Sequence, residues 1–395
     1  MRQRSFGGRR NPSRFRKTKK NSAKEKGIDV SKLVNKTFEP EKAEEYRAQN
    51  TFEDFKLDPR LKKSVERKGY KAPTPIQDQT IPHLLQGKDV VGIANTGTGK
   101  TAAFLLPMLH KVLNDRSEKV LILAPTRELA LQIEEEFRAF SAGLGINSVL
   151  CIGGTNMGLQ IRKLKKNYSF VIGTPGRIKD LLERRLLRFD SYRSVILDEA
   201  DRMLDMGFIH DIKHILGKLP QKRHSLFFSA TIPKEVEELI RTFLDDPLKI
   251  SVTVRETAAN VKQDVIRIRP EQNRIDVIQD LLKKEEFRKV LVFGRTKRGV
   301  DRLYKKLFKN GFRVDAIHGD KSQSRRQSAL NGFKNNKVKI LVATDVAARG
   351  LDIDNVSHVI NFDMPSTHDD YIHRIGRTGR GDKKGIALTF IDAKK

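Results

Sequence analysis

Tryptophan is absent from this 395-residue chain, cysteine occurs once, and aromatic residues make up only 7% of it. A lone cysteine, Cys151, excludes an intrachain disulfide and fits a reducing, cytoplasmic compartment. Long apolar runs are missing as well. The longest, such as 120–124, are strand-sized and far short of the ~18 residues that span a bilayer. No apolar stretch follows the basic N-terminus, so no secretory signal is expected, and Gly7, Gly8 and Pro12 would interrupt the amphipathic helix that an organelle transit peptide needs. Acid is in short supply: 49 Asp and Glu stand against 78 Lys and Arg, for a net charge of +29. The first 50 residues, with 15 basic and 6 acidic side chains, carry +9 of that, so +20 belongs to the remainder. A basic folded body calls for a polyanion. With no basic amphipathic helix to favour a membrane surface, nucleic acid is the expected partner.

Residues 1–20 hold 9 basic and no acidic side chains among Gly, Ser, Asn and Pro, and cannot bury enough apolar surface to fold alone. Residues 1–50 are therefore expected to be a basic, mostly disordered tail, with Phe6 and Phe15 placed among arginines to stack on bases and a short helix near Glu41–Arg47. From about Phe52 short apolar runs alternate with longer amphipathic segments. Val90–Ile93, Val120–Leu123, Phe170–Ile172, Val195–Leu197 and Leu226–Phe228 read as buried strands, and Thr126–Phe140 reads as a helix. The same alternation resumes with strands at Val290–Phe293, Val314–Ile317, Ile340–Val342 and Val359–Asn361 and a last one at Ile386–Ile391, and no C-terminal specificity tail is expected. The fold class expected is α/β: two tandem parallel-sheet domains at 51–250 and 259–395, joined by a linker at 251–258.

The chemistry is carried first by Ala94-Asn95-Thr96-Gly97-Thr98-Gly99-Lys100-Thr101, which follows an apolar strand and opens a helix near Lys100. Backbone N–H groups at such a turn point at phosphates, and Gly97 and Gly99 allow the close approach. Lys100 is expected to reach the β- and γ-phosphates of ATP, and the Thr101 hydroxyl to ligate Mg²⁺. Ala94 replaces the first Gly of the general pattern. A second strand, Val195–Leu197, ends in Asp198-Glu199-Ala200-Asp201. There Asp198 is expected to hold Mg²⁺ through water and Glu199 to orient or deprotonate the attacking water.

With these stand further segments in order: GYKAPTPIQ (69–77), PTREL (125–129), TPGR (174–177), SAT (229–231), HGD (318–320), ATDVAARGLD (343–352) and HRIGRTGR (373–380). Over roughly residues 52–392 the sequence resembles the DEAD-box RNA helicases. The resemblance implies two RecA-like domains that ATP and RNA close around a composite site. It places Tyr70 and Phe52 against the adenine, and Gln77, in a loop stiffened by Pro73 and Pro75, on its N6 and N7. Asp352 is implied at the ribose. Arg377 and Arg380, three apart at the expected start of a helix, are implied as arginine fingers. His373 and Ser229-Ala230-Thr231 are implied to couple hydrolysis to strand separation; on sequence alone the latter also reads as a helix N-cap. For RNA the resemblance implies Arg127, Gly153, Gly154, Thr174 and Arg177 in the first domain, and Thr296, Gly319, Gln323, Arg326 and Thr344 in the second. Two rival readings are a duplex-DNA translocase and an RNA-annealing protein driven by its basic tail.

Overall fold

The computed structural model describes residues 46–95, 97–252, 261–348, 353, 356–379 and 384–393. The expected tail up to residue 45, most of the expected linker, Thr96, Asp352 and Arg380 lie outside them. Among the described residues no helix is long and apolar enough to cross a membrane.

The strands are β1 (Val90–Ile93), β2 (Lys119–Leu123), β3 (Ser148–Cys151), β4 (Phe170–Gly173), β5 (Tyr192–Asp198), β6 (His224–Ser229) and β7 (Leu248–Ser251) in the first half. The second half holds β8 (Val261–Ile268), β9 (Val290–Phe293), β10 (Val314–Ile317), β11 (Ile340–Ala343), β12 (His358–Asn361) and β13 (Gly385–Asp392). They form two all-parallel sheets of order β3-β4-β2-β5-β6-β1-β7 and β10-β11-β9-β12-β13-β8. Apart from β7, added beside β1, the second order repeats the first strand for strand. Both are α/β domains of one architecture.

Each strand alternates between two apolar layers because both faces are covered by helices. Val120 and Ile122 enter one core with Phe104, Phe137 and Phe170, while Leu121 and Leu123 enter the other with Ile178, Val195 and Phe227. The second sheet is sandwiched likewise, Leu291 and Phe293 facing one layer and Val290 and Val292 the other. Cys151, wholly buried at the end of β3, belongs to the first domain's packing, and burial pushes its thiol up to about 12.

Three strands were not expected: β3, β7 and β8. All lie at sheet edges, where one side lacks a partner strand and the apolar run breaks up. β8 alternates buried and exposed residues along much of Val261–Ile268. Local chemistry corrects three further expectations. Gln77 is not in a loop: Pro75 takes the first position of the Pro75–Leu85 helix, where its missing N–H costs nothing, and Gln77 becomes the third residue. Arg377 does not begin a helix, because the His368–Ile375 helix has ended at Gly376. Tyr46 and Arg47 are not helical; the segment from Tyr46 to Asn50 instead supplies donors to Asp78.

His224, at the start of β6, gives the first domain a pH dependence. Its Nε2–H donates to the Lys88 carbonyl (2.8 Å), and Nδ1 is buried without a hydrogen-bond partner. Burial pushes its pKa from 6.5 down to about 4. The unfolded chain therefore binds the proton first as pH falls. The contribution of the neutral ring is full above the unfolded value and is lost as pH drops from about 6.5 to about 4, on the order of 3 kcal/mol. Urea midpoints measured near pH 7.5 and near pH 5 should fall with acid in the wild type and fall less in His224→Gln. Equal pH dependence in the two would remove His224 as the cause.

Candidate functional site

Residues 94–101 connect β1 to the Lys100–Asn114 helix, at the carboxyl edge of the first sheet where ligands of open α/β sheets bind. Gly97 and Gly99 have φ of 86° and 93°, a left-handed backbone that a side chain would strain. Thr98 Oγ1 closes the turn on the Asn95 carbonyl (2.8 Å). Lys100 is only 6% exposed; its Nζ donates to the Ala94 carbonyl (3.0 Å) and lies 4.0 Å from Asp198 Oδ1.

Asp198 ends β5. Burial raises its carboxyl pKa to about 6, against the opposing pull of Lys100. Its Oδ1 is buried with no hydrogen-bond partner. Glu199 follows in a left-handed conformation (φ 55°) that costs a non-glycine residue about 1 kcal/mol. Its carboxylate accepts from Arg202 Nη1 (2.9 Å), both side chains being buried. The last acid of the tetrapeptide, Asp201, ties two segments together. Its Oδ2 accepts from the Ala230 and Thr231 N–H groups (3.2 and 2.9 Å) and from the Thr231 hydroxyl (2.9 Å), while Ser229 Oγ accepts from the Asp201 N–H (3.1 Å). Ser229-Ala230-Thr231 is thus bound to the loop after β5 and does not cap the next helix, whose N-cap is Pro233.

Gln77 is buried beside this loop. Its Nε2 donates to the Gly99 carbonyl (3.0 Å) and its Oε1 accepts the Thr74 N–H (3.0 Å); Thr74 Oγ1 is buried without a partner. A Cβ on Gly99 would sit 2.5 Å from Gln77 Nε2, so only glycine lets the two meet. Phe52 and Tyr70 lie together, ring centroids 6.2 Å apart. The backbone leading to Phe52 is fixed by Asp78, which accepts from Tyr46 Oη (2.7 Å), Gln49 N–H (2.7 Å), Asn50 N–H (3.1 Å) and Asn50 Nδ2 (2.7 Å).

In the second domain, His373 and Arg377 line a small cavity with Asp345 and Arg374, and Arg377 is 3% exposed. Arg374, which sequence reasoning passed over, holds this region: its guanidinium grips both Asp345 oxygens (2.5 and 2.8 Å) and the Asp363 carbonyl (2.6 Å), above the Phe293 ring.

A groove of about 460 Å³ lies between the domains. Arg127, Gly153, Thr174 and Arg177 line it from the first domain, and Gly319 and Arg326 from the second. Arg127 rests on Gly153-Gly154, where a Cβ on Gly154 would fall 2.2 Å from Nη1. Arg177 Nη1 donates to Gln160 Oε1 (3.0 Å). Of the expected residues outside its lining, Thr296 caps the Lys297–Lys309 helix, and Thr344 directly follows β11, its carbonyl accepting from the Ala347 and Ala348 N–H groups. Gln323 and Arg326, both expected on RNA, also bond Glu128. Glu128, 2% exposed, accepts from Gln323 Nε2 (3.1 Å) and Arg326 Nη2 (2.8 Å) across the cleft. Within PTREL only Arg127 carries an expected role; an acid directly beside that arginine is the sequence signal that points to Glu128.

Residues 74–239 match the family described as DEAD/DEAH box helicase, and residues 273–382 match the helicase conserved C-terminal domain. Among curated proteins, the ATP-dependent RNA helicase CshA of Listeria monocytogenes is 47% identical over 347 residues, 87% of this chain and 66% of that protein. The chain thus spans just under two thirds of the length of the curated relatives it matches. Among solved structures, S. cerevisiae Dbp5 bound to RNA and ADP BeF3 is 32% identical over 87% of this chain and 90% of its own, with a TM-score of 0.77. Mss116p bound to ssRNA and AMP-PNP is 32% identical over 88% and 76%, with a TM-score of 0.79. A DEAD box protein from Methanococcus jannaschii is 38% identical over 87% and 93%, yet its TM-score is 0.51. The whole-chain superposition therefore follows the RNA- and nucleotide-bound structures more closely than one of higher identity.

Proposed function

The chain belongs to the DEAD/DEAH box helicase family, and from that premise we propose that it is a cytoplasmic ATP-dependent RNA helicase, in which RNA-stimulated ATP hydrolysis drives local, sequence-independent opening of short duplexes. The observation that carries this reading is the junction at Glu128: groove residues of both domains share one buried carboxylate, in a chain whose first sheet carries a phosphate-type loop at its carboxyl edge.

In this reading Gln77 recognises adenine with the amide that also bonds the loop carbonyl of Gly99, so base identity and loop position are read by one side chain. Phe52 and Tyr70 pack against the base, the chain leading to Phe52 being held through Asp78. Lys100 meets the terminal phosphates. Asp198 and Thr101 suit Mg²⁺, since the unpartnered, buried Asp198 Oδ1 is a hard oxygen donor with a raised pKa that a cation would relieve. ATP with Mg²⁺, held by Lys100, Thr101 and Asp198, would supply the phosphoryl group and counter-charge at this loop. Glu199 orients the attacking water, its carboxylate steadied by Arg202. Arg377 approaches from the second domain; by the family resemblance Arg380 is assigned the role of a second finger and Asp352 that of ribose contact. Asp201 passes loop movement to Ser229-Ala230-Thr231, and His373 receives it across the cleft. Arg127, Gly153, Gly154, Thr174 and Arg177, with Thr296, Gly319 and Thr344, contact RNA phosphates; Gln323 and Arg326 contribute through closure as well as through the strand.

ATPase rates with single-stranded RNA, single-stranded DNA or neither, for ATP and for GTP, test the proposal. Stimulation by RNA and preference for ATP are expected; equal stimulation by single-stranded DNA would support the DNA-translocase reading instead. Glu128→Gln should leave the unstimulated rate unchanged while weakening RNA binding in the presence of an ATP analogue about 10-fold, the loss of one charge-assisted hydrogen bond. Unaltered RNA affinity would mean that the Glu128 contact does not support closure.

A further inference from the structure

A second cavity, of about 1380 Å³, opens at the carboxyl ends of β8, β9, β12 and β13. The matching strand orders put it where the first domain carries its phosphate loop: β8 corresponds to β1 and β12 to β5. The correspondence extends to side chains. Arg274, first residue of the Arg274–Leu282 helix, lies 3.7 Å from Asp363 just past β12, as Lys100, first residue of its helix, lies 4.0 Å from Asp198.

This is nevertheless not a second triphosphate site. Asn273 occupies the position of Gly99 and spends its side chain on the Ile275 N–H (2.9 Å). Arg274 is held by Asp363, by Asp392 (3.5 Å) and by the Phe390 carbonyl (3.2 Å), so the charge on the floor is neutralised. The charge that remains for a ligand is on the rim: Arg267 and Arg302 are exposed and make no ion pair among the described residues, and Arg295 is exposed beside them. Between rim and floor lies a half-buried ring, Phe362, with the Arg274 guanidinium 5.8 Å from its centroid. Spread cations around an aromatic–guanidinium platform match a single strand better than a compact ligand, and the volume exceeds the ~300–1,000 Å³ of small-molecule pockets. Thr296 forms one edge, which joins the cavity to the proposed RNA path.

We infer that this cavity seats the stretch of bound RNA that continues past Thr296, with phosphates on Arg267, Arg295 and Arg302 and an unstacked base against Phe362 and Arg274. The inference rests on the helicase reading and extends its RNA site.

The test uses the full chain with ADP–beryllium fluoride and fluorescent oligouridylates of about 6 and about 12 nucleotides. The wild type should bind the longer strand more tightly. Arg267→Ala/Arg302→Ala should lose that gain, about 10-fold on the longer strand and under about 2-fold on the shorter, with the salt slope lowered by about 1.4. Arg267→Lys/Arg302→Lys should restore most of it. Equal affinity of wild type and double variant for the longer strand, or equal losses on both lengths, overturns the inference while leaving the helicase reading intact. Failure of the wild type to bind either strand sinks both. Loss of polyglutamate binding in the double variant with RNA binding unchanged overturns it in favour of an acidic protein partner.

Discussion

Replacing Lys100 by Ala is expected to lower RNA-stimulated ATP turnover by about 10³-fold or more, the scale of a lost preorganised charge on a transferring phosphoryl group. Geometry makes the position intolerant. The ammonium is 6% exposed and aligned by the Ala94 carbonyl, at the mouth of a turn whose glycines have φ of 86° and 93°. It is also the counter-charge nearest the unpartnered Asp198 oxygen. Its removal strands a buried carboxylate, so a lower melting temperature should accompany the lost turnover. Lys100→Arg should fail as well, because a planar fork does not fit a slot shaped for a point charge. Steady-state turnover with saturating RNA checks this, and retained stimulation in Lys100→Ala would refute the phosphate-loop assignment.

Arg377→Ala should cost a comparable factor by a different route. An arginine finger contributes about 10³–10⁵ in rate, and Arg377 comes from the domain that does not carry the phosphate loop. Lys100 and Gln77 remain in the variant. The loss should therefore fall on kcat, with KM for ATP nearly unchanged and RNA binding retained. Arg377→Lys keeps the charge but loses the fork and is expected to recover little. A loss confined to KM would make Arg377 a binding residue and leave the transition-state role to Arg380.

The contrast between these variants shows how unevenly the site was legible in the sequence. The phosphate loop reads directly because its strand, glycines, lysine and helix are contiguous, and the helix begins at Lys100 as expected. Glu128 did not, because its partners Gln323 and Arg326 lie 195 and 198 residues away and only tertiary structure brings them together. Arg374 hid just ahead of the expected fingers Arg377 and Arg380, although it is as deeply buried as Arg377. Gln77 was misplaced in a loop because two prolines were read as loop stiffeners, whereas Pro75 starts a helix. Among strands, the central ones stood out as unbroken apolar runs, and those missed were edge strands, where pairing on one side only relaxes that demand.

One buried thiol turns these domains into separately observable units. Cys151 has no exposed surface, its pKa is pushed up to about 12, and no other cysteine exists in the sequence. A thiol reagent should therefore modify the folded protein only through openings that release β3 from β4. The labelling rate then reports the opening free energy of the first domain alone, with no engineered probe. Ligands that close the cleft should slow it by the amount of their binding free energy to that domain, whereas ligands confined to the second domain should leave it unchanged.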